Sequence, residues 1–512
     1  MLTSEKELIS LVWLKRDLRF HDHAPFATAA KDCEQGGKAL AFYVIETDYW
    51  ATDKASSMQL DFIIESLAEL KRSLHAVGCS LLIFQAPSAE EIIELLLKTY
   101  RVEKIFCHQE TGNLWTFERD KKVHLLARQQ KIPLVEFLQN GVARGQLGRS
   151  SEGRFHGPRW WQWAESPLAE SPRFWRDPAY LPPELPTTSS SSISTAFISS
   201  TGIYLRQLGG ESLGRALLSS FLSERSLAAG GYRKEMSSPL HAAEICSRIS
   251  AHLTWGTLST KTAVQVTLGA IRTSDTSARK NQLQSFVTRL RWRDHFLQKF
   301  ERLHWMEAKC INSAAETLHG WNEEFYTRWA HGMTGYPFID ACMRSLNSGK
   351  WINFRARAML VSFASYALNL DWRGFGPHLA RTFLDYEPGI HYSQLQMQSG
   401  TTIGSPPRIY SPIKQSLEKD PTGAFIRRWL PELSDLGAEV IHQPASSPRH
   451  GYPAAVIPPD KLWETMRANA PKSIRSEGAA VKRPSKNSPK KPRRSLAQKK
   501  EKNQLEFHLD PA

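Results

Sequence analysis

The spacing of apolar residues changes part-way along the chain, and this change limits the folds it can adopt. Between residues 9 and 140, short apolar runs alternate with amphipathic stretches, whereas after residue 205 most apolar residues recur three and four positions apart. The first pattern is typical of buried parallel strands joined by helices, and the second of helices alone. At 512 residues the chain also exceeds one compact core. The sequence therefore predicts an α/β domain followed by an all-α domain.

In the first part, four short apolar segments bounded by polar turns are predicted as strands. They are Ile9–Leu14, Ala39–Ile45, Ser80–Phe84 and Lys104–His108. Helical spacing over Gln59–Val77 and Ala89–Tyr100 places helices between them. Strand–helix–strand repeats of this length predict a doubly wound parallel sheet. No GxGxxG follows the first strand, so a standard NAD site is not expected.

The second part contains five segments with helical spacing. They are Glu211–Leu222, Ala242–Ile249, Asn281–Phe300, Phe338–Leu346 and Phe354–Leu368. A Ser/Thr/Pro-rich stretch, Glu184–Thr201, precedes them and is typical of a linker. The predicted domains are residues 1–145, a linker over 146–204, a helical domain over 205–465 and a tail over 466–512.

The net charge of +15 is concentrated at the C-terminus. From Lys472 onward, twelve Lys and Arg residues stand against four acids, so this segment carries +8 and the remainder +7. A segment rich in Lys, Pro and Ser cannot bury a core, which predicts a disordered basic tail. It either attaches electrostatically to a polyanion such as DNA or is a solvated tail with no specific partner.

Composition also bears on compartment and metal chemistry. No run approaches the roughly 20 apolar residues that span a bilayer, and the first residues lack a signal-peptide pattern. The six cysteines are scattered and contain no CxxC pair, so neither a disulfide framework nor a metal site is expected. The sequence predicts a cytoplasmic protein that makes no membrane contact.

Two segments contain residues suited to chemistry. Ser247, Arg248 and Ser250 lie within four positions, where hydroxyls and a cation suit a phosphate, although such serines more often cap helices. In Asn281–Phe300, one helical face is apolar and predicted to be core. A second face carries Arg289, Trp292, Arg293 and Phe296. Cations among aromatics suit stacking on bases or flavin, and the alternative is a helix-packing aromatic between solvated arginines.

Further motifs follow in order along the chain. They are LVWLKRDLRFHDH near the start, GGE at Gly209–Glu211, SSPL…CSRISAHLTWGTLS, WRD at Trp292–Asp294, W-x-x-G-x-TGYP-x-x-DA-x-MR, DWR and FIRRWLPEL. In this combination the sequence resembles the photolyase/cryptochrome family, loosely over residues 9–150 and closely over 205–440.

The resemblance implies an N-terminal α/β antenna domain and a C-terminal all-helical domain that binds FAD. The residues matched to FAD contacts are Tyr232, Ser247, Arg248, Ile249, Ser250, Arg293, Arg357, Asp385 and Glu387, with an ion pair expected between Arg357 and Asp385. The residues matched to contacts with damaged DNA are Arg289, Trp292, Arg355 and Met397. Those matched to catalysis or electron transfer are Trp292, Trp372 and His391.

The implied activity is light-driven repair of ultraviolet-damaged DNA by a monomeric photolyase, a carbon–carbon lyase. Reduced, excited flavin would give an electron to a pyrimidine dimer, which splits and returns it. The alternatives are a cryptochrome-type photoreceptor without repair activity and a light-independent nucleic-acid-binding flavoprotein. A second, antenna chromophore would lie near Glu110, and folate, deazaflavin, another flavin or an empty site all remain open.

Some positions depart from the family pattern. Arg289 replaces a dimer-contacting glutamate, and a guanidinium cannot make the same hydrogen bonds as a carboxylate; Asp294 is a milder change. Leu395 stands where the innermost tryptophan of the photoreduction chain is expected, while Trp372 keeps the middle position. Met397 replaces an aromatic. His391 matches an asparagine near flavin N5, where it is expected to donate a proton or hydrogen bond.

Overall fold

The computed structural model of the chain describes residues 6–144, 156–184, 206–404, 406–444 and 447–471. The predicted Ser/Thr/Pro-rich linker, apart from its first residue, and the predicted basic tail from residue 472 onward lie outside these residues.

A five-stranded parallel sheet forms the centre of the N-terminal part, with strand order β3-β2-β1-β4-β5. The strands are β1 Leu8–Leu14, β2 Ala39–Glu46, β3 Leu81–Ala86, β4 Arg101–His108 and β5 Leu134–Phe137. The four predicted strands are confirmed to within a few residues. β5 was not predicted, because it is four residues long and only half-buried at the sheet edge.

Helices cover both faces of the sheet, because successive strand side chains point to opposite sides. In β1, Leu11 and Trp13 join one apolar core, and Val12 and Leu14 join the other. The helices of this part are α1 Ala24–Glu34, α2 Thr47–Trp50, α3 Ser57–His75, α4 Ala89–Thr99 and α5 Leu114–Gln129. The doubly wound α/β architecture is confirmed.

The C-terminal part is helical throughout its described residues, as predicted. A helix α6 His156–Glu165 precedes it. Its helices are α7 Glu211–Ser223, α8 Tyr232–Glu235, α9 Ala242–Ile245, α10 Ser250–Thr254, α11 Thr260–Arg272, α12 Ser277–Arg302, α13 Glu323–Ala330, α14 Pro337–Asn347, α15 Phe354–Ser362, α16 Trp372–Thr382, α17 Pro388–Gln398, α18 Pro412–Lys419, α19 Ala424–Trp429, α20 Ala438–Ile441 and α21 Leu462–Ala468.

Two predicted helices are interrupted. The helix predicted over Ala242–Ile249 ends at Ile245, because Cys246 is extended and Arg248 has a φ of +60°. The helix predicted over Phe354–Leu368 passes into a π-helical turn at Phe363–Ala367, a feature often found at functional sites.

Part of the region predicted as an interdomain linker is packed against the rest of the chain. Trp160 in α6 is 1% exposed, and its Nε1–H donates to Asp294 Oδ2 at 2.9 Å. In the part of the chain that the structure describes, no helix is both long and apolar enough to cross a membrane.

Candidate functional site

A cavity of about 210 Å³ lies among α15, α16 and α17. Most of its walls are aliphatic or aromatic, including Val361, Leu379 and Ile390. Six residues singled out from the sequence also line it: Ser250, Arg357, Asp385, Glu387, His391 and Leu395. The cavity reaches the surface at Phe354, which lines it and is 47% exposed.

A bidentate ion pair stands in one wall of the cavity. Arg357 Nη1 and Nη2 donate to the two carboxylate oxygens of Asp385 at 2.9 and 3.1 Å. The guanidinium also lies 4.2 Å from the ring centre of Phe383. Burial alone would raise the pKa of Asp385, but the charge and hydrogen bonds of Arg357 hold it below its usual value. The pair therefore presents a fixed anion and a fixed cation to a ligand.

Glu387 is held from behind by Arg293. Arg293 Nη2 donates to Glu387 Oε2 at 2.6 Å, and its Nη1 donates to Asp294 Oδ1 at 3.1 Å. Arg293 is 8% exposed and does not line the cavity. Arg293 shares a helical face with Arg289 and Trp292 by spacing, but its guanidinium turns inward to these two buried carboxylates. Arg293 thus reaches the cavity only through Glu387.

His391 is neutral in this environment. Burial lowers its pKa to about 3, and its Nε2–H donates to the carbonyl of Gly376 at 3.1 Å. This hydrogen bond requires the proton on Nε2, which leaves Nδ1 as an acceptor. The expectation that His391 donates a proton or a hydrogen bond near flavin N5 stays a prediction. With Nε2–H bonded to the Gly376 carbonyl, Nδ1 is the ring nitrogen that remains for a ligand.

The segment between α9 and α10 is held in place by hydrogen bonds from Arg225. Arg225 donates to the carbonyl of Ser247 at 3.1 Å and to that of Cys246. Arg248 stacks 4.7 Å from the ring centre of Trp351, and its buried Nε has no hydrogen-bond partner among the described residues. Arg248 lines a crevice together with Trp351, Arg357 and Asp385, which also line the cavity. An unpartnered cationic donor beside the cavity suits a phosphate.

Besides Arg293, three residues matched to FAD contacts line neither the cavity nor the crevice: Ser247, Ile249 and Tyr232. Ile249 is 1% exposed and belongs to the helical core. Tyr232 also lies in this core, with its ring centre 5.3 Å from Phe221, and its hydroxyl interacts with Arg289. Neither is among the residues that line the cavity.

The outer face of α12 carries an exposed tryptophan, a half-buried phenylalanine and an exposed cation. Trp292 is 36% exposed, its ring centre is 5.7 Å from that of Phe296, and Arg289 is exposed one turn earlier. Arg355 lies apart from this pair, with its guanidinium 5.4 Å from the Tyr410 ring centre. Met397 is half-buried near the end of α17. None of Arg289, Trp292, Arg355 and Met397 lines the cavity.

Trp372 lies deeper in the helical domain. It is 1% exposed at the start of α16 and is also absent from the cavity wall.

Charged residues fill the carboxyl edge of the parallel sheet, between β1 and β4. Glu110 is paired with Arg119 at 2.6 Å and with Arg16 at 3.5 Å. Arg16 also donates to the carbonyl of Tyr386 at 3.3 Å, which connects this edge to the cavity wall. The strand order reverses between β1 and β4, and ligands of open α/β sheets bind at such a reversal, outside the carboxyl ends of the strands.

Asp17, His23 and His108 place three potential metal-binding atoms within 4.8 Å of one another at this edge. Hydrogen bonds already use these atoms. His23 Nδ1 accepts from the Phe26 N–H, so its Nε2–H donates to Asp17 Oδ2, and His108 Nδ1–H donates to the same oxygen. The arrangement is that of a structural hydrogen-bond cluster at the start of α1.

The cavity and the adjoining crevice fit FAD. The flavin ring requires an apolar slot with polar groups at its edge, and the pyrophosphate requires donors. The slot has Arg357, Asp385 and His391 at its edge, and the crevice contributes the unpartnered Nε of Arg248.

Comparison with known proteins bears directly on this fit. Residues 286–468 match the family model described as the FAD binding domain of DNA photolyase, and residues 10–154 match the one described as DNA photolyase. The chain belongs to the photolyase/cryptochrome superfamily. Its cofactor is FAD, and the family resemblance read from the sequence is confirmed.

Relatives named as photolyases and relatives named as cryptochromes both align with most of the chain. A deoxyribodipyrimidine photo-lyase of Vibrio cholerae is 27% identical over 470 residues, covering 87% of this chain and 96% of the relative. A cryptochrome DASH of Gloeobacter violaceus is 25% identical over 469 residues, covering 85% and 88%. At these identities the names do not separate repair from signalling.

Solved structures share the fold. A class III photolyase from Agrobacterium tumefaciens superposes with a TM-score of 0.75 at 23% identity, covering 92% of this chain and 98% of its own. An archaeal photolyase from Sulfolobus tokodaii, described with two FAD molecules, gives 0.71 at 22% identity, covering 90% and 99%.

Sequence reasoning missed several residues at the site. Trp351 and Phe354 lie in the segment KWINFRARA, Lys350–Ala358, which also contains the matched residues Arg355 and Arg357, and Gln394 lies three residues after His391. Their positions beside matched residues were a usable signal. Arg225 lies outside every motif, and only the folded chain brings it to the carbonyls of Cys246 and Ser247.

Proposed function

We propose that the protein repairs pyrimidine dimers in ultraviolet-damaged DNA with blue light, as a FAD-dependent deoxyribodipyrimidine photolyase. The observation that carries this proposal is the opening of the FAD cavity at the surface. Phe354 both lines the cavity and is half exposed, so a base flipped out of the DNA duplex has a path to the flavin.

The residues of the cavity have separate roles in this proposal. Arg357 and Asp385 hold the edge of the flavin ring, while Arg248, Ser247 and Ser250 hold the phosphates and ribityl chain. When bound, FAD would supply the electron that light makes available. Val361, Leu379 and Ile390 exclude water, which keeps electrostatic interactions at the ring strong. The neutral His391 accepts a hydrogen bond through Nδ1.

The outer face of α12 is proposed as the contact surface for damaged DNA. Trp292 and Phe296 offer aromatic faces for stacking, and Arg289 offers a cation for a phosphate. Arg355 and Met397 are proposed as further contacts. At the cavity, Gln398 Nε2 donates to Gln394 Oε1 at 3.2 Å, so the amide N–H groups of Gln394 remain for a pyrimidine carbonyl.

A cryptochrome-type photoreceptor is the second candidate, and Arg289 favours it. Where the family's dimer-contacting glutamate is expected, this chain has an exposed cation, so the carboxylate that would bind the dimer is missing. In that case light would drive the reduction of FAD, and the protein would signal this reduction to a partner molecule.

Three further features are part of the proposal. A second, light-harvesting chromophore is suggested by the two FAD molecules in the Sulfolobus structure, with Glu110 near its site. A cytoplasmic location is supported by the six buried cysteines, all of which are free. We propose a monomer, as inferred from the family resemblance.

A repair assay tests the function. The protein, chemically reduced so that photoreduction is not required, is illuminated with blue light in the presence of a dimer-containing oligonucleotide. Photolyase activity predicts recovery of the ultraviolet absorbance of the bases, in light and not in darkness. Absence of recovery on both single- and double-stranded substrate would reject repair and favour the photoreceptor.

A further inference from the structure

The family resemblance implies a chain of tryptophans that passes electrons to FAD, and Leu395 stands where the innermost of these tryptophans is expected. Leu395 lines the cavity and is 1% exposed. An aliphatic side chain has no π system to accept or pass an electron, whereas Trp372 has one. An electron leaving Trp372 must therefore pass through other groups to reach the cavity.

Tyr392 lies beside Trp372 on the next helix. The ring centres of Trp372 and Tyr392 are 6.3 Å apart, with an interplanar angle of 69°. Tyr392 is 2% exposed and stacks on Phe300 at 5.9 Å, with an interplanar angle of 14°. This packing fixes the Tyr392 ring against that of Trp372.

Two cavity-lining residues, His391 and Tyr386, also contact Tyr392. The ring centre of His391 is 5.0 Å away, and the Tyr386 hydroxyl donates to the Tyr392 hydroxyl at 3.3 Å. Tyr386 and His391 both line the cavity, and their ring centres are 5.1 Å apart. Aromatic contacts are therefore continuous from Trp372 to the wall of the flavin slot.

We propose that Tyr392 bridges Trp372 to the FAD cavity and replaces the missing inner tryptophan during photoreduction. One electron leaves the Trp372 indole, crosses the Tyr392 ring and the cavity wall formed by Tyr386 and His391, and reaches light-excited oxidised FAD. Trp372 would lose one electron and bound FAD would gain it, and no bond between heavy atoms breaks. A thiol in solution would be the final reductant: each thiol loses one electron and one proton, two of them join as a disulfide, and the buried Trp372 regains its electron.

Tyr392 serves as a bridge and Trp372 as the electron donor. An oxidised phenol must release its proton, and burial raises the pKa of Tyr392 well above its usual value. The indole of Trp372 can hold the positive charge without releasing a proton. The ring of Tyr392 is therefore required, and its hydroxyl is not.

The inference requires FAD but not DNA repair. The experiment consequently uses the full chain loaded with FAD, without DNA, under blue light and with a thiol reductant. The rate of loss of the oxidised-flavin band gives photoreduction, and transient absorption gives the tryptophan radical. A protein that fails the repair assay can still pass this one, so the two proposals fail separately.

We expect Tyr392→Leu to slow photoreduction by about tenfold or more, which corresponds to a barrier higher by at least about 1.4 kcal/mol. Tyr392→Phe, which keeps the ring, should stay close to the parent. Trp372→Phe should remove the early tryptophan-radical signal. In the double variant Tyr392→Leu/Leu395→Trp, the new indole should restore the rate.

Each variant is compared at equal FAD content. If Tyr392→Leu does not retain FAD, Tyr392→Met takes its place, because methionine also lacks a π system and fills irregular space. An unchanged rate and radical yield in the ring-free variant would overturn the proposal. A parent protein that is not photoreduced at all would overturn it too.

Discussion

Replacing Arg357 with alanine should destabilise the FAD site by leaving a buried carboxylate without its partner. Both hydrogen bonds of the pair are short, at 2.9 and 3.1 Å, and the Asp385 side chain is 7% exposed. Breaking a buried ion pair by removing one partner costs about 3–5 kcal/mol. Because the Arg357 side chain is 22% exposed, we expect a loss at the lower end, about 3 kcal/mol.

Urea unfolding at a fixed FAD concentration measures this loss, and FAD content is recorded for each variant. The double variant Arg357→Ala/Asp385→Asn should recover part of it, because the uncompensated charge is gone. Arg355→Ala is the matched control: Arg355 lies two residues away on α15 and packs on Tyr410 without an ion pair among the described residues. If Arg357→Ala lowers the unfolding free energy no more than this control does, the ion pair with Asp385 does not stabilise the site.

The same pair predicts a pH dependence. The pKa of Asp385 is held below its usual 3.8, so the stabilisation is complete above that pH and is lost as the pH falls below it. The difference in unfolding free energy between the parent and Arg357→Ala should therefore shrink in acid. A difference that is constant down to acid pH would show that Asp385 is not the group involved.

Three further predictions concern the cavity and the α12 face. Burial lowers the pKa of His391 from 6.5 to about 3, so the unfolding free energy of the protein should fall by up to about 1.4 kcal/mol per pH unit as the pH drops from 6.5 towards 3. In His391→Asn, the unfolding free energy measured with urea should depend less on pH in that window. An unchanged pH dependence contradicts this. Trp292→Ala should weaken binding to dimer-containing DNA by about 1–3 kcal/mol in fluorescence anisotropy, with FAD content unchanged; an equal effect of Trp463→Ala, which removes another exposed tryptophan, would argue against a specific contact. Arg289→Glu should reduce the slope of log binding constant against log salt concentration for undamaged DNA by about one to two. An unaltered slope would show that Arg289 does not contact DNA.

The fold was predictable where hydrophobic spacing alone determines structure. Each of β1 to β4 contains a buried apolar run that is visible in the sequence, whereas β5 is short and half-buried and lacks that signal. The break after Ile245 was missed because CSRIS has no Pro or Gly. The positive φ of Arg248 is fixed by the surrounding fold, including the hydrogen bonds of Arg225 to the neighbouring carbonyls.

The site was predictable to the extent that motifs contain it. Arg357 and Asp385 were expected to pair, and the structure brings them together from α15 and the segment before α17. Helical periodicity grouped Arg293 with Arg289 and Trp292, because periodicity does not register that Glu387, 94 residues away, pairs with the guanidinium. The tautomer of His391 likewise depends on the carbonyl of Gly376, which sequence spacing does not bring near.

A crystal structure of this protein with FAD and damaged DNA would show where both ligands bind. We expect the flavin ring in the cavity lined by Arg357, Asp385 and His391, with a flipped-out pyrimidine dimer entering past Phe354. FAD bound only at the carboxyl edge of the sheet, or DNA on a face remote from Phe354 and Trp292, would contradict this expectation.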